Sequence, residues 1–163
     1  MTADRRKLVI GVIGAGDASP DGLQCAYRVG QLLAERGAVL VCGGLGGIME
    51  AAARGCAEAG GEVIGILPGD SPARANSYVS LPIVTDMGHA RNVIIAHTAR
   101  ALIAIEGSYG TISEMAVGLK LRKLVIQLLP RTELPGTILL RTAEEAVDRA
   151  LAVGEGRAHE RFR

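Results

Sequence analysis

The sequence predicts an α/β fold of the Rossmann-like, doubly wound kind, with a mainly parallel sheet and helices on both faces. Three observations carry this. Short apolar runs of the type buried on both faces alternate with helix-like segments from one end of the chain to the other. Glycine-rich turns at Gly14–Gly16, Gly43–Gly47 and Gly107–Gly110 each follow such a run and precede a helix. The 163 residues are 48% hydrophobic and only 2% aromatic, so the core must be built from Val, Ile, Leu and Ala. A chain of this length buries a core as one domain, and residues 1–163 are read as one.

The elements follow in order. Leu8 to Ile13 is the first strand, and the turn Gly14-Ala15-Gly16 leads to a helix from about Pro20 to Arg36, stopped by Gly37. Ala38 to Cys42 is the second strand, and Gly43-Gly44-Leu45-Gly46-Gly47 opens a helix that runs to Ala59 and closes at Gly60-Gly61. Glu62 to Leu67 is the third strand, ended by Pro68-Gly69. Asp70 to Val79 is polar and without periodicity, a candidate lid or rim. Ile83-Val84 is a short strand, Gly88 to Ala99 a helix, and Ala101 to Ile105 a buried strand. A helix over Thr111 to Lys120 and a strand at Leu124 to Leu129 come next, then a loop with two prolines and Ile138-Leu139-Leu140. The last helix starts at Thr142 with a capping box to Glu145 and runs to about Val153.

Composition excludes several function classes. The formal net charge is +1, and no cluster of lysine and arginine sits beside aromatics, so no nucleic-acid surface is indicated. Arg5-Arg6-Lys7 reads as a solvated lead-in to the first strand. Cys25, Cys42 and Cys56 form neither a disulfide framework nor a metal pair, which suits a reducing compartment. Leu8 to Ile13 is too short for a signal-peptide core, and no apolar run approaches a membrane span; the expectation is a cytoplasmic protein with no membrane partner. His89 and His97 lack a third ligand at matching spacing, so no metal is expected. Cys42, ending a strand, reads as a small buried apolar residue before it reads as a nucleophile.

In a doubly wound sheet the three glycine turns open onto one rim, at the carboxyl ends of the strands. The segment Glu106 to Glu114 carries the most chemistry. After the buried strand, Gly107 and Gly110 let the backbone turn, and the following helix start offers unpaired amides and the positive end of its dipole to a phosphate. Ser108 and Thr111 add hydroxyls, and Tyr109 completes the turn. Thr111-Ile112-Ser113-Glu114 is equally a capping box, in which Glu114 reaches back to the Thr111 amide. Both readings stand on this segment alone. Arg91, in the first turn of its helix, meets the unfavourable end of the dipole, a penalty that an anionic partner would remove.

Taken together, these motifs resemble the LOG family, often labelled lysine decarboxylases, and the related molybdenum-cofactor carrier proteins. The likeness rests on Gly43-Gly44-Leu45-Gly46-Gly47-Ile48-Met49, on Gly60 to Pro68, on Arg91, and on Gly107 to Glu114, which matches a G-G-x-G-T-x-x-E pattern apart from Ser108. The resemblance implies a site of Arg91 and Glu114 as catalytic residues, with Gly14, Gly16, Gly43, Gly44, Gly46, Gly47, Met49, Gly107, Ser108, Tyr109, Gly110 and Thr111 binding a phosphorylated ligand. The implied reaction is hydrolysis of the N-glycosidic bond of nucleoside 5′-monophosphates, with Glu114 stabilising a ribosyl cation or activating water and Arg91 holding the sugar phosphate or orienting Glu114. Decarboxylation has no support. A pyridoxal enzyme needs a Schiff-base lysine and a larger frame, and the only lysines are Lys7, Lys120 and Lys123.

Three positions depart from the family pattern. Asn92 replaces a lysine, Glu106 stands in place of proline, and Ser108 replaces a glycine and needs a negative φ to be harmless. Glu106 opposes an anion in the neighbouring turn unless a cation pairs with it. Each weakens the hydrolase expectation more than the fold, and Asn92 with a retained binding rim suits the second implied function, a carrier that binds a phosphorylated pterin or nucleotide without cleaving it. No resident cofactor is expected. The partner is a nucleoside monophosphate or other phosphorylated small molecule. Apolar residues on several faces of the helices at Gly88 and Thr111 mean that these helices are either sandwiched in the monomer or used in self-association, and the resemblance implies a homodimer or larger homo-oligomer.

Overall fold

The computed structural model describes residues 6–153, so Arg5 of the basic lead-in lies outside the described residues. Strands β1 (Val9–Gly14), β2 (Val39–Cys42), β3 (Val63–Leu67), β4 (Leu81–Val84), β5 (Ala101–Ile105), β6 (Leu124–Leu128) and β7 (Ile138–Leu139) form one sheet in the order β4-β3-β2-β1-β5-β6-β7. Every pairing is parallel. Helices α1 (Pro20–Glu35), α2 (Ile48–Glu58), α3 (Arg91–Thr98), α4 (Tyr109–Lys120) and α5 (Ala143–Ala152) supply the connections. The expected doubly wound α/β fold is what the chain adopts.

Successive strand residues point to opposite faces, and each face has its own core. Ile10, Val12, Leu40, Cys42, Ile103 and Ile105 pack with α1, α2 and α5. Ile13, Val41, Leu102 and Ala104 pack with Ile95 and Ala96 of α3 and Met115 of α4. On the first face α1 and α2 cross at glycine: a Cβ on Gly30 would lie 1.9 Å from the Ala52 carbonyl oxygen, and one on Gly55 2.0 Å from that of Tyr27. Strand β4 is the outer edge, with all four residues exposed and Pro82 within it, where a missing amide costs no central ladder bond.

Helix boundaries follow local chemistry. Ser19 caps α1 by accepting from the Gly22 amide at 3.0 Å, with Pro20 at the first helical position. The expected Thr142–Glu145 capping box starts α5. Lys123 closes α3 by donating to the carbonyls of Ala96, His97 and Ala99 at 2.5–2.7 Å. Two helix starts differ from expectation. The helix expected from Thr111 begins two residues earlier, at Tyr109 with Ser108 as its cap residue, so Thr111 and Glu114 form no capping box. The helix expected from Gly88 starts as a 3-10 turn over Gly88–Ala90 before α3 proper.

The order of strands reverses beside β1: the chain runs outward through β2, β3 and β4, then returns to place β5 on the other flank. In such sheets the crevice lies outside the carboxyl ends at this switch point. Here that means the turns after Gly14 and after Ile105.

Candidate functional site

Three helix starts meet this rim, and their chemistry differs. The start of α1 is satisfied by the Ser19 cap. The start of α2 is packed onto the first turn. The Ile48 amide donates to the Ala15 carbonyl at 2.9 Å, and Gly47, at φ 66°, is so close that a Cβ would lie 2.3 Å from that oxygen. Gly14 lies under the same contact, its Cβ position 2.6 Å from the Ile48 side chain. Glu50 then places a carboxylate in the first turn of α2.

The Met49 and Glu50 amides of α2 also have no protein acceptor among the described residues, but α4 has the most open start of the three. Its cap residue Ser108 makes no side-chain cap bond, no acid stands in its first turn, and the first amide with a helical acceptor is that of Ile112, bonded to Ser108 O at 2.9 Å. Among the described residues the amides of Tyr109, Gly110 and Thr111 have no protein acceptor. Ser108 keeps φ at −133°, so serine replaces glycine here without strain. Gly107 does need its freedom: at φ 104° its Cβ position is 2.5 Å from the Thr111 side chain. Tyr109 is 89% exposed, and the space beside Gly110 is open. A helix start in this condition attracts an anion.

Behind that start lie Arg91 and Glu114, each only 8% exposed. The Arg91 guanidinium is turned inward. Its Nη1 donates to the carbonyl of Gly43 at 2.6 Å and to that of Ile66, and its Nε donates to Asn92 Oδ1 at 2.8 Å. Gly43 is glycine because a Cβ would lie 2.7 Å from Met49 Sδ and 2.9 Å from both guanidinium nitrogens. Gly44 carries φ 74° against Leu67, and a Cβ on Gly46 would lie 3.9 Å from Glu50 Oε2. Asn92, read from sequence as a lost cation, instead tethers the arginine. Its amide donates to Ser113 Oγ at 3.3 Å, and Ser113 donates to the Gly110 carbonyl at 2.6 Å, linking Arg91 to the first turn of α4.

Glu114 accepts no hydrogen bond among the described residues, yet no fully enclosed side-chain polar atom there is left without a partner, so its carboxyl oxygens keep contact with solvent. Burial pushes its pKa up to about 8, against a smaller lowering by Arg91. At neutral pH it is mostly a neutral acid, able to donate one hydrogen bond as well as accept. Arg91 is lowered by burial and partly restored by Glu114 and Cys42. Cys42 is fully buried and its thiol is pushed up to about 12, chiefly by that burial, so it is inert as a nucleophile.

Glu106 does not confront the open turn. At φ 52° it directs its carboxylate to the other side, where the Ser19 hydroxyl and amide donate to it and Arg131 Nη2 donates at 3.1 Å. Arg131 also donates to the Asp17 carbonyl, so the latch joins the turn after β1 to the loop after β6. Burial raises the Glu106 pKa, but the bonds from Ser19 and Arg131 outweigh it and the net direction is down. Arg131 carried no sequence signal. Its role depends on a contact 25 residues away.

Beside the rim is a hollow of about 680 Å³ between the first halves of α1 and α2, walled by Tyr78 of the polar loop. It is lined by Gly16 and Gly47, and not by Arg91 or Glu114. The loop is no free lid. Asn76 pins it, donating from its amide to the Gly44 carbonyl at 2.8 Å and from its side chain to Leu45 at 3.0 Å. Among the described residues no three His, Cys, Asp or Glu side chains form a metal cluster, and no helix is long and apolar enough to cross a membrane.

Known proteins share this architecture. A molybdenum cofactor binding protein from the phototrophic bacterium Rippkaea orientalis superposes with a TM-score of 0.87 at 34% identity, covering 92% of this chain and 99% of that one. An uncharacterized protein of Archaeoglobus fulgidus is 51% identical over 139 residues, 85% of this chain and 91% of its own. A probable cytokinin riboside 5′-monophosphate phosphoribohydrolase of Oryza sativa subsp. japonica is 34% identical over 118 residues, which span 70% of this chain but 48% of the rice protein. The model of the SLOG cluster4 family matches residues 7–155. With its parallel sheet, its glycine turns and a match over nearly its whole length, this chain belongs to the SLOG cluster4 family.

Proposed function

We propose that this protein binds a phosphorylated, ring-bearing small molecule at the carboxyl rim of the sheet and holds it without cleaving it, as a carrier of the molybdenum-cofactor type does. The observation that carries this reading is the open start of α4, with three unpaired amides in front of a neutral, unbonded Glu114. The amides suit a phosphate. A protonated carboxyl adds a donor to a phosphate or carbonyl oxygen, but it lacks the charge that would stabilise a ribosyl cation. Arg91 spends Nη1 and Nε on Gly43, Ile66 and Asn92, which suits a positioning role beneath the site. The near-complete overlap with the Rippkaea orientalis protein supports the same reading.

A second reading, phosphoribohydrolase activity, is favoured by the retained Arg91 and Glu114 and by the likeness to the rice protein. A carboxyl that keeps its proton at pH 7 can protonate a departing base. Chromatography of free base released from nucleoside monophosphates, with Glu114→Gln in parallel, separates the two. Base release by the wild type alone establishes hydrolysis; stabilisation by ligand with no release establishes the carrier.

The reading includes a homodimer or larger homo-oligomer. Leu81, Ile83 and Val84 of β4, Met87 and Val93 are large apolar residues at 41–52% exposure, and a second copy would cover them. Sedimentation of the wild type beside Val93→Asp tests this: a monomer in both cases removes it.

A further inference from the structure

We infer that the hollow between α1 and α2 holds the planar ring of the ligand, and that it selects a 2-amino-4-oxo heterocycle of the guanine or pterin type through the Glu50 carboxylate. This rests on the reading that the rim takes the phosphate. Its own support lies elsewhere in the molecule.

At about 680 Å³ the hollow falls in the range of small-molecule sites. Aromatic surface is scarce in this chain, with three tyrosines, one phenylalanine and no tryptophan, yet Tyr27 and Tyr78 both line this space. Both are held in place. Tyr27 donates its hydroxyl to Glu58 at 2.6 Å and lies under the Arg54 guanidinium at 5.5 Å from the ring centre, while Arg54 is itself bonded to Glu58 at 3.0 Å. Asn76 accepts from the Tyr78 amide at 3.1 Å and ties that stretch to the glycine turn. Preorganised tyrosines offer flat area to a planar ring at low entropic cost.

Glu50 supplies the selectivity. It faces the hollow, and among the described residues its carboxylate has neither an ion pair nor a hydrogen bond. Its Oε2 lies 3.9 Å from the Cβ position of Gly46, which puts it where the hollow meets the rim. A carboxylate there repels a phosphate, consistent with the phosphate lying at α4 instead. It matches two neighbouring N–H donors, the ring N–H and the 2-amino group of guanine or a pterin; adenine has no such pair. Gly16, which lines the hollow, has open space at its Cβ position.

Calorimetric titration of the whole protein with GMP, AMP, ribose 5-phosphate and 6-hydroxymethylpterin, repeated on Glu50→Ala, tests the inference. The expected result is GMP bound at least tenfold more tightly than AMP, a loss of tenfold or more for GMP in Glu50→Ala, and no loss for AMP or ribose 5-phosphate. If Glu50 acts only as a local negative charge, its removal strengthens all three phosphorylated ligands, and the inference falls. Equal GMP and AMP affinities with ribose 5-phosphate still bound overturn it while leaving the rim reading intact. Binding of the unphosphorylated pterin, lost in Glu50→Ala, without binding of ribose 5-phosphate does the reverse. If no probe binds, both readings are overturned.

Discussion

Glu106 and Glu114 flank the same turn and are equally buried, at 7% and 8% exposure, yet their electrostatics are opposite. Glu106 has a hydroxyl, an amide and a guanidinium, and it is held ionised. Glu114 has no bonded partner, and it is held neutral to about pH 8. Burial raises both, more strongly at Glu114, and only Glu106 has hydrogen-bond donors that outweigh it. The contrast separates a carboxylate that joins elements of the fold from a carboxyl group left available to a ligand.

The largest break in this comparison is Glu106→Ala. It strips the Ser19 amide and hydroxyl of their acceptor and frees Arg131, at a cost of about 2–3 kcal/mol, or about 5–10 °C in melting temperature by calorimetry at pH 7. A shift of under a degree would remove the latch. Glu114→Gln moves the other way, stabilising by about 1–3 kcal/mol at pH 9 and by almost nothing at pH 4, as denaturant unfolding would show. The sign follows from proton counting. Between the ordinary value of 4.5 and about 8 the unfolded chain has released a proton that the native protein retains, so wild-type stability falls as pH rises through that window. Glu106 contributes with the opposite slope: its stabilisation is present above its ordinary value of 4.5 and is lost as pH falls below it.

Smaller substitutions sharpen the contrast. Arg131→Gln costs only about 0.5–1 kcal/mol, because the arginine is 45% exposed and Ser19 still satisfies Glu106. Ser108→Gly is the mildest, at about 0.5 kcal/mol or less in thermal unfolding, since φ at −133° suits any residue and glycine only adds freedom to the unfolded chain.

Much of the fold was legible because its signals are local. Apolar runs flanked by glycine located the strands, and the Thr142–Glu145 box began α5 as its residues imply. The site was legible in part. Arg91, Glu114 and the glycines around them were found as a pattern, and the structure brings Arg91, Met49 and Gly43 into contact. The shared reading of the three helix starts was too coarse. Ser19 caps one, the Ala15 carbonyl takes one amide of another and Glu50 adds a negative charge there, and α4 stays the most open. Asn92 was visible as a departure, but its task of holding Arg91 depended on where Ser113 falls in space.

The alternation of strands and helices, the parallel sheet and the rim on which chemistry would gather are all readable from the order of residues. Periodicity, capping residues and glycine turns act within a few residues, so one dimension suffices to read them. Which helix start is the most open, which glutamate is charged and where the hollow lies emerge only when the chain is packed. Those properties come from groups far apart in the chain, such as Ser19, Glu106 and Arg131, whose mutual distances follow from packing.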